Sequence, residues 1–287
     1  MDKRLKVNFS PWGNFGDTAV PYMLRKLNVP FIFTHHTVEK KLLMIGSILG
    51  VGNRKDTIVW GTGIVDDKTV ALPNANYIAV RGPRTLEKLK IAGVNTDNVL
   101  LGDPAMILPK VYTPKKEKKY KLGLIPHISD YAEVDKYMKE NIDKFPNTLI
   151  IDPNTKVSQI EPFIEAVNSC EKVVSTCLHG IVCAHAYGIP AVWMKVSNRL
   201  VGDDVKFYDH FESLGLTLDG PLDWIPDENV EIPEQNIVFD IEKYWASRPW
   251  LTVGEDYYVD IDNEDWTKEV YPLDYTGKIV DDIWWER

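Results

Sequence analysis

The chain has 287 residues, of which 44% are hydrophobic and 26% are charged. This length and composition are typical of a globular protein with two domains of ordinary size, and they exclude a disordered or fibrous chain. The 33 Lys and Arg residues against 42 Asp and Glu residues give a formal net charge of −9, which argues against nucleic acid as a partner.

Cysteine usage and apolar patterning indicate the cellular setting. Cys170, Cys177 and Cys183 are not spaced like a zinc or redox pair, so we expect no metal site and a reduced, cytoplasmic environment. The longest apolar stretch, 42–52, is interrupted by glycines and is about half of the roughly 20 residues that a spanning helix needs. The sequence therefore predicts no integral membrane segment, and any membrane association would be peripheral.

Short β-rich runs alternate with amphipathic helical stretches up to about residue 216, a pattern that predicts an α/β protein with parallel sheets. In the first half, strands are predicted at 5–9, 57–60, 77–80 and 98–101, and helices at 18–27 and 83–91. The second of these helices begins with a proline, whose missing N–H is not needed in the first turn.

A polar and highly charged segment separates the two halves and predicts a solvated linker at 114–120, between domains at 1–113 and 121–220. In the second half, strands are predicted at 121–125, 148–152 and 172–175, and helices at 132–142, 157–168 and 181–187. An extension, 221–287, contains six tryptophans and one predicted helix at 241–246. Because exposed tryptophans at that density would aggregate, we expect the extension to pack across both domains.

Ligands of open α/β sheets bind at the carboxyl ends of the strands, so the turns that follow strands are the candidate sites. The first turn carries Asn14, Gly16 and Asp17 before a helix whose N–H groups could hold an anion, although the simpler expectation for Asp17 is that it caps a helix beginning at Thr18. The turn at 61–63 lacks the third glycine and the downstream acid of a dinucleotide fingerprint, so no nicotinamide cofactor is predicted.

Two further turns carry a single candidate residue each. Arg81 ends a predicted strand, where binding of a phosphate or carboxylate and a plain exposed charge are both open interpretations. His127 ends the first strand of the second half, where a histidine is either a polar surface residue or a titratable group that faces a cleft between the domains.

The most specific turn, 173–180, passes from a buried strand through small polar residues into a helix. Hydroxyl and backbone N–H groups of Ser175, Thr176 and Leu178 beside His179 suit oxyanion binding and proton transfer. A zinc site built from the neighbouring Cys and His residues fails on spacing, and no Gly-x-Ser-x-Gly turn supports acyl transfer. His179 is therefore the first candidate for a catalytic residue.

Six short fragments follow one another along the chain: Asn14-Phe15-Gly16-Asp17, Trp60-Gly61-Thr62-Gly63, Val80-Arg81-Gly82, Gly102-Asp103-Pro104-Ala105, Gly123-Leu124-Ile125-Pro126-His127 and Ser175-Thr176-Cys177-Leu178-His179-Gly180. In this order they resemble the polysaccharide pyruvyl transferase family, in its bacterial exopolysaccharide branch, over about residues 5 to 216. The resemblance implies two Rossmann-like domains facing a cleft, as in GT-B glycosyltransferases.

The activity implied by the resemblance is the transfer of pyruvate from phosphoenolpyruvate to a sugar as a cyclic ketal. Phosphoenolpyruvate would be a co-substrate, with no metal or other cofactor, and the partner would be a glycan acceptor, with a lipid-linked form left open. A lipid-linked acceptor would bring the cytoplasmic enzyme to the inner face of the membrane.

The resemblance also implies roles for the candidate residues. Members of the family often carry Arg-Leu-His where this chain has Cys177-Leu178-His179, so another cation would have to compensate, with Arg81, His127, Lys195 and Arg199 as candidates. We expect catalytic roles for His179 and His127, donor binding by Arg81, Ser175, Thr176, Leu178 and His179, and acceptor binding by Asn14, Gly16 and Asp17.

Two alternatives remain open from the sequence. The same architecture would also suit a glycosyltransferase that uses a nucleotide sugar, because a fold does not determine its chemistry. A glycan-binding protein without catalysis is the other alternative, since aromatic residues make up 11% of the chain and stack on sugars.

Overall fold

The computed structural model describes residues 3–10, 13–115 and 117–262, and it is a mixed α/β protein with two mainly parallel β-sheets. The strands are β1 (Lys3–Asn8), β2 (Phe31–Phe33), β3 (Leu42–Leu43), β4 (Ile58–Trp60), β5 (Asn76–Val80), β6 (Leu100–Leu101), β7 (Tyr120–Ile125), β8 (Thr148–Ile150), β9 (Cys170–Ser175), β10 (Ala191–Trp193) and β11 (Tyr258–Asp260).

Eight α-helices surround these sheets in the described residues: α1 (Phe15–Lys26), α2 (Leu49–Gly52), α3 (Pro83–Ile91), α4 (Tyr131–Glu140), α5 (Ile160–Asn168), α6 (Leu178–Ala186), α7 (Val205–Ser213) and α8 (Ile241–Ala246). Shorter 3-10 helices lie at Pro104–Lys110, Ile142–Lys144, Val157–Gln159, Pro249–Leu251 and Glu255–Tyr257.

The first sheet contains β1 to β6 and β11. Leu5 of β1 pairs with Phe31 of β2 and with Tyr258 of β11, so these two strands lie on opposite edges of β1. β11 is antiparallel to β1, whereas β3, β4, β5 and β6 continue the sheet in parallel. With β2 on one side of β1 and β3 on the other, the strand order reverses at β1, and such a reversal creates a crevice for ligands.

The second sheet is parallel throughout and has the order β10-β9-β7-β8. Its strand order reverses between β7 and β9, which gives it a ligand crevice of the same kind. In β7 and β9 the carboxyl-terminal residues, 122–125 and 173–175, are buried, as expected for strands covered on both faces by helices.

Helix α6 joins the two sheets. Seven of its nine residues are buried, and it packs against both β9 and the 3-10 helix Pro104–Lys110, which follows the last parallel strand of the first sheet. A helix that is apolar on all sides needs contacts on all sides, which explains its place between the two halves. The first residues of α6 therefore lie where the two sheets meet.

Helix α1 also contacts the second sheet's half of the chain. Phe15 stacks on Phe163 with ring centroids 4.2 Å apart, and the hydroxyls of Thr18 and Thr155 are 2.9 Å apart. This helix begins at Phe15, three residues before the predicted start. Its N-cap is Asn14, which accepts a hydrogen bond from the backbone N–H of Asp17 at 3.2 Å, so the expectation that Asp17 caps the helix is wrong.

The extension contacts both halves as far as residue 262. Trp224 packs on Tyr137 of α4, with centroids 4.4 Å apart, while β11 pairs with β1. Tyr244 of α8 is buried, and its hydroxyl donates to the carbonyl of Gly102 at 2.8 Å. Trp266, Trp284 and Trp285, which we also expected to pack across the domains, lie outside the described residues.

Two buried histidines connect α6 to α7. His185 Nδ1 lies 3.0 Å from His210 Nε2, and His185 Nε2 lies 3.2 Å from the Gln235 side-chain oxygen. Burial lowers the pKa of His185 from 6.5 to about 4. Burial is the largest cause that lowers the pKa of His210, and the neighbouring His185 and Arg81 lower it further. Both rings are therefore neutral in the folded protein at neutral pH.

We expect the free energy of unfolding to fall as the pH is lowered from 6.5 towards 4. In that window the unfolded chain protonates His185 and the folded protein does not, so acid favours unfolding by about 1.4 kcal/mol per pH unit for each such histidine. Urea unfolding at several pH values measures this slope. The His185→Gln variant should show a shallower slope, and an equal slope in both proteins would contradict this account.

Candidate active site

A cavity of about 470 Å³ opens between the two sheets. Its walls come from turns that follow β1, β3 and β4 in the first sheet and β7, β8 and β9 in the second, together with the start of α7. The cavity thus lies at the reversal of strand order in both sheets, where open α/β sheets bind ligands. The polar residues that line it include Ser10, Asn14, Asp17, Ser47, His127, His179 and Lys206.

Two further cavities, of about 600 and 470 Å³, lie beside the linker. Their walls are formed by residues such as Tyr112, Lys115 and Glu165 in one and Lys118 and Tyr187 in the other. Neither is lined by a histidine in the described part of the chain, so the cavity between the sheets is the better candidate for proton-transfer chemistry.

His179 faces a buried carboxylate from the other half of the chain. Its Nε2 lies 3.5 Å from Asp103 Oδ2, and neither atom has a hydrogen-bond partner among the described residues. The second carboxylate oxygen, Oδ1, accepts a hydrogen bond from the backbone N–H of Ala105 at 2.9 Å, which holds Asp103 in place. A carboxylate behind an imidazole orients the ring and stabilises positive charge on it, as a catalytic histidine requires.

Gly16 in the first turn of α1 makes room for the His179 ring. A Cβ atom at Gly16 would overlap Nδ1, Cγ and Cε1 of that ring. The glycine is therefore needed for the position of the histidine, whereas sequence reasoning assigned it to acceptor binding.

We expect the Gly16→Ala substitution to abolish most of the activity without unfolding the protein. The added methyl group must displace His179 from Asp103, and an error of about 1 Å in a catalytic group can cost a hundredfold in rate. Alanine is favoured over glycine inside a helix by about 1 kcal/mol, which offsets part of the strain. Steady-state rates and thermal melting of the variant test this, and wild-type turnover would contradict the packing described here.

His127 follows β7 and lines the same cavity. Its backbone N–H donates to Thr176 Oγ1 at 2.7 Å, and its ring Nδ1 accepts from the backbone N–H of Ser129 at 3.2 Å. Because Nδ1 is an acceptor, the proton of the neutral ring is assigned to Nε2. Burial and, second, the charge of Lys206 lower the pKa of His127, so the neutral form is favoured.

The turn between β9 and α6 is held by two buried hydroxyls. Ser175 Oγ donates to the carbonyl of Ile125 at 2.7 Å and accepts from the backbone N–H of Cys177 at 3.0 Å. Thr176 Oγ1 accepts the backbone N–H of His127. Both side chains are almost completely buried, so they shape the turn from within and do not line the cavity. Leu178 and His179, at the start of α6, do line it.

Arg81 lies behind the cavity wall. Its side chain is 0% exposed, and its Nε lies 3.2 Å from Asp209 Oδ2 in a buried ion pair. Its remaining nitrogens donate to Ser47 Oγ and to the carbonyl of Ile64, each at 2.6 Å. All three nitrogens are thus engaged within the protein. The geometry does not favour the predicted direct contact of Arg81 with a ligand, because its side chain is buried and contacts Ser47, which lines the cavity.

The family of the chain is decided by comparison with known proteins. Residues 14–198, just under two thirds of the chain, match the model of the family described as polysaccharide pyruvyl transferase. The chain belongs to this family. The match includes the turns that carry Asn14, His127 and His179, and it confirms the predicted resemblance to the family.

A similar protein, described as an uncharacterized protein, occurs in Acanthamoeba polyphaga mimivirus. The two are 33% identical over 179 residues, which is 61% of this chain and 60% of the viral protein. The chain therefore spans about 60% of the length of that relative.

Five of the predicted site residues line one cavity: Asn14, Asp17, His127, Leu178 and His179. Asn14 and Asp17 are hydrogen-bonded to each other, with the Asn14 side-chain nitrogen 2.6 Å from Asp17 Oδ2. They approach the cavity from the first sheet, whereas the two histidines approach it from the second. The sequence could predict that these residues lie together because each follows a strand, and the carboxyl ends of the strands converge.

Three residues of the site were missed by sequence reasoning. Asp103 occurs in one of the quoted fragments, but nothing in its local sequence reveals that it faces His179. Ser47 follows a strand of only two residues, and Lys206 is the second residue of a helix that was not predicted. Within the described residues, no group of three or more His, Cys, Asp or Glu could hold a metal ion, and no helix is long and apolar enough to cross a membrane.

Proposed function

We propose that this chain transfers the pyruvyl group of phosphoenolpyruvate to two hydroxyls of a glycan acceptor, as a cyclic ketal, in the synthesis of a cell-surface or exopolysaccharide precursor. Membership of the polysaccharide pyruvyl transferase family supports a role in pyruvyl transfer generally. The observation that carries the finer proposal is the pair of His179 and buried Asp103 at the start of α6, where proton transfer and anion binding would meet.

The proposed reaction needs an acid, a base and an anion site. The methylene carbon of phosphoenolpyruvate takes up a proton and becomes a methyl group, while two acceptor oxygens bond to the adjacent carbon. The bond from that carbon to the phosphate oxygen breaks, and its electron pair leaves with the phosphate. Of the two hydroxyl protons released, one balances the proton taken up by the methylene group, and the other is taken up by the phosphate.

His179 is the proposed proton donor to the methylene carbon and acceptor from the sugar hydroxyl. Asp103 supports this role because its carboxylate would stabilise the imidazolium form during turnover. His127 is proposed to act at the phosphate. In its neutral form the ring carries a proton on Nε2, which suits a hydrogen bond to a phosphate oxygen.

The start of α6 is the proposed donor anion site. The first N–H groups of a helix have no partner within it and carry a partial positive charge, so those of Leu178 and His179 suit a phosphate or carboxylate. Ser175 and Thr176 are proposed to contribute indirectly, by holding this turn in shape. Arg81 is likewise a positioning residue, since it acts on the cavity through Ser47.

The acceptor side of the site is proposed to be Asn14 and Asp17, with Gly16 beneath them. These residues face the donor side from the other sheet, which agrees with two Rossmann-like domains, 1–113 and 121–220, in a GT-B-like arrangement around the cavity. A lipid-linked acceptor, with the protein at the inner face of a membrane, is part of the same proposal and depends on which glycan is used.

Thermal melting with millimolar phosphoenolpyruvate tests the donor, because a ligand that binds only the folded state raises the melting temperature by mass action. We expect phosphoenolpyruvate to raise it and UDP-glucose to leave it unchanged. The rise should shrink in the His127→Gln variant if His127 binds the phosphate. A rise with UDP-glucose and none with phosphoenolpyruvate would overturn the proposal in favour of a glycosyltransferase.

A further inference from the structure

Lys206 is a cationic side chain that lines the cavity but has no carboxylate partner. It is the only lysine or arginine among the described residues that line it. Its Nζ donates to the carbonyl of Val201 at 3.0 Å, and no carboxylate of the described chain lies within ion-pair distance. A lysine ammonium has three donors, so at least two remain available to a ligand.

The other lysine and arginine candidates from the sequence already have carboxylate partners. They pair with carboxylates as follows: Arg81 with Asp209, Lys195 with Asp204, and Arg199 with both Asp130 and Glu133. Because an ion pair must be broken before such a cation can bind a ligand, these side chains are poor candidates for a donor with three negative charges.

The surroundings of Lys206 place it beside the proposed anion site. The groups that act on its charge are Arg81 from the end of β5, Asp204 before α7, and Cys177 at the start of α6, and Lys206 in turn acts on His127 after β7. Burial, and after it Arg81, lowers the pKa of Lys206 to about 8, while Asp204 and Cys177 oppose this change. Burial raises the pKa of the Cys177 thiol, which is therefore uncharged at neutral pH.

We propose that Lys206 is the donor-binding cation of this site and forms an ion pair with the phosphate or carboxylate of phosphoenolpyruvate. This proposal rests on the proposed function. It goes further by naming the cation that replaces the arginine expected at position 177. It also makes binding depend on pH in a way that a guanidinium would not, because the ammonium loses its charge as the pH rises above 8.

Isothermal titration calorimetry with phosphoenolpyruvate and, separately, inorganic phosphate tests the proposal at pH 7 and pH 9. We expect Lys206→Met to weaken binding of phosphoenolpyruvate about 10- to 100-fold at pH 7, the effect of losing one charged hydrogen-bonded contact. Lys206→Arg should restore binding and, unlike the wild type, retain it at pH 9. Lys139→Met removes the same charge from an exposed site on α4, where Lys139 pairs with Asp135, and should bind as the wild type does.

The outcomes separate the two proposals. Wild-type affinity in Lys206→Met would overturn the role of Lys206 and leave the proposed function standing. Binding of inorganic phosphate that depends on Lys206, without any binding of phosphoenolpyruvate, would keep the anion site and overturn the donor. If Lys206→Met fails to fold, the pH dependence of Lys206→Arg decides, since a loss of binding at pH 9 equal to that of the wild type would contradict the proposal.

Discussion

Replacing His179 by glutamine is expected to lower the turnover of phosphoenolpyruvate by about a hundred- to ten-thousandfold, the usual contribution of a general acid or base. Glutamine keeps a polar group of similar reach but cannot take up and release a proton near neutral pH. Because the His179 ring lies against Gly16 and opposite Asp103, the smaller group should be accommodated without loss of the fold.

The measurement is the rate of phosphate release from phosphoenolpyruvate in the presence of acceptor, with circular dichroism to verify folding. His36→Gln is the matched control, since it makes the same chemical change outside the cavity and should turn over at the wild-type rate. Asp103→Asn should lower kcat with little change in KM, because it removes the charge behind the imidazole and leaves substrate contacts alone. Wild-type activity in His179→Gln would contradict the assignment of His179.

Replacing Arg81 by methionine is expected to lower the free energy of unfolding by about 3–5 kcal/mol, the cost of leaving a buried charge without its partner. The uncompensated group would be Asp209, which is also 0% exposed. Its carboxylate accepts from the backbone N–H groups of Arg84 and Thr85 and from the Thr85 hydroxyl, so it caps α3 from α7. Arg81 and Asp209 thus join the start of α3 to α7 and hold the cavity wall.

Urea unfolding measures this cost, and two further variants make the result specific. Arg84→Met removes an exposed pair with Glu212 and should cost less than about 1 kcal/mol. The double variant Arg81→Met/Asp209→Asn should be more stable than Arg81→Met alone, because no buried charge is left unpaired. A loss in Arg81→Met no larger than that in Arg84→Met would contradict the account of this buried pair.

Much of the fold was predictable from local patterns. The strands expected at 5–9, 57–60, 77–80, 98–101 and 121–125 are all present, and the helices expected at 83–91 and 241–246 have the predicted bounds. Strands β2, β3, β10 and β11 were not predicted. Each has only two or three residues and shows little alternation of apolar and polar side chains, whereas the equally short β4, β6 and β8 lie within the longer predicted strands at 57–60, 98–101 and 148–152.

Helix α7 escaped prediction for a different reason. It begins after Asp204, whose φ of 69° is left-handed, and its N-cap makes no side-chain hydrogen bond. Asp203 marks its start only weakly, through a hydrogen bond that its side chain accepts from the backbone N–H of Val205 at 3.2 Å. The position of the helix also depends on tertiary contacts such as that of Asp209 with α3. Lys206 lies on this helix, so the cation of the cavity could not have been selected from the sequence.

The positions of the site residues were easier to predict than their contacts. Asn14, His127 and His179 could be brought together because each follows a strand, and the carboxyl ends of strands converge in such sheets. The ion pair of Arg81 with Asp209 joins residues 128 apart in the sequence, and no local pattern reveals such a partner. A buried arginine and a ligand-binding arginine at the end of a strand therefore give the same sequence signal.

Phosphorus and proton NMR of the full chain incubated with phosphoenolpyruvate and a panel of hexosides tests the central claim most directly. The account predicts that the phosphorus signal of phosphoenolpyruvate is replaced by that of inorganic phosphate. One new methyl singlet from a ketal should form for each phosphate released, and neither change should occur with His179→Gln. Consumption of UDP-glucose on the same acceptors, with phosphoenolpyruvate left intact, would contradict the account.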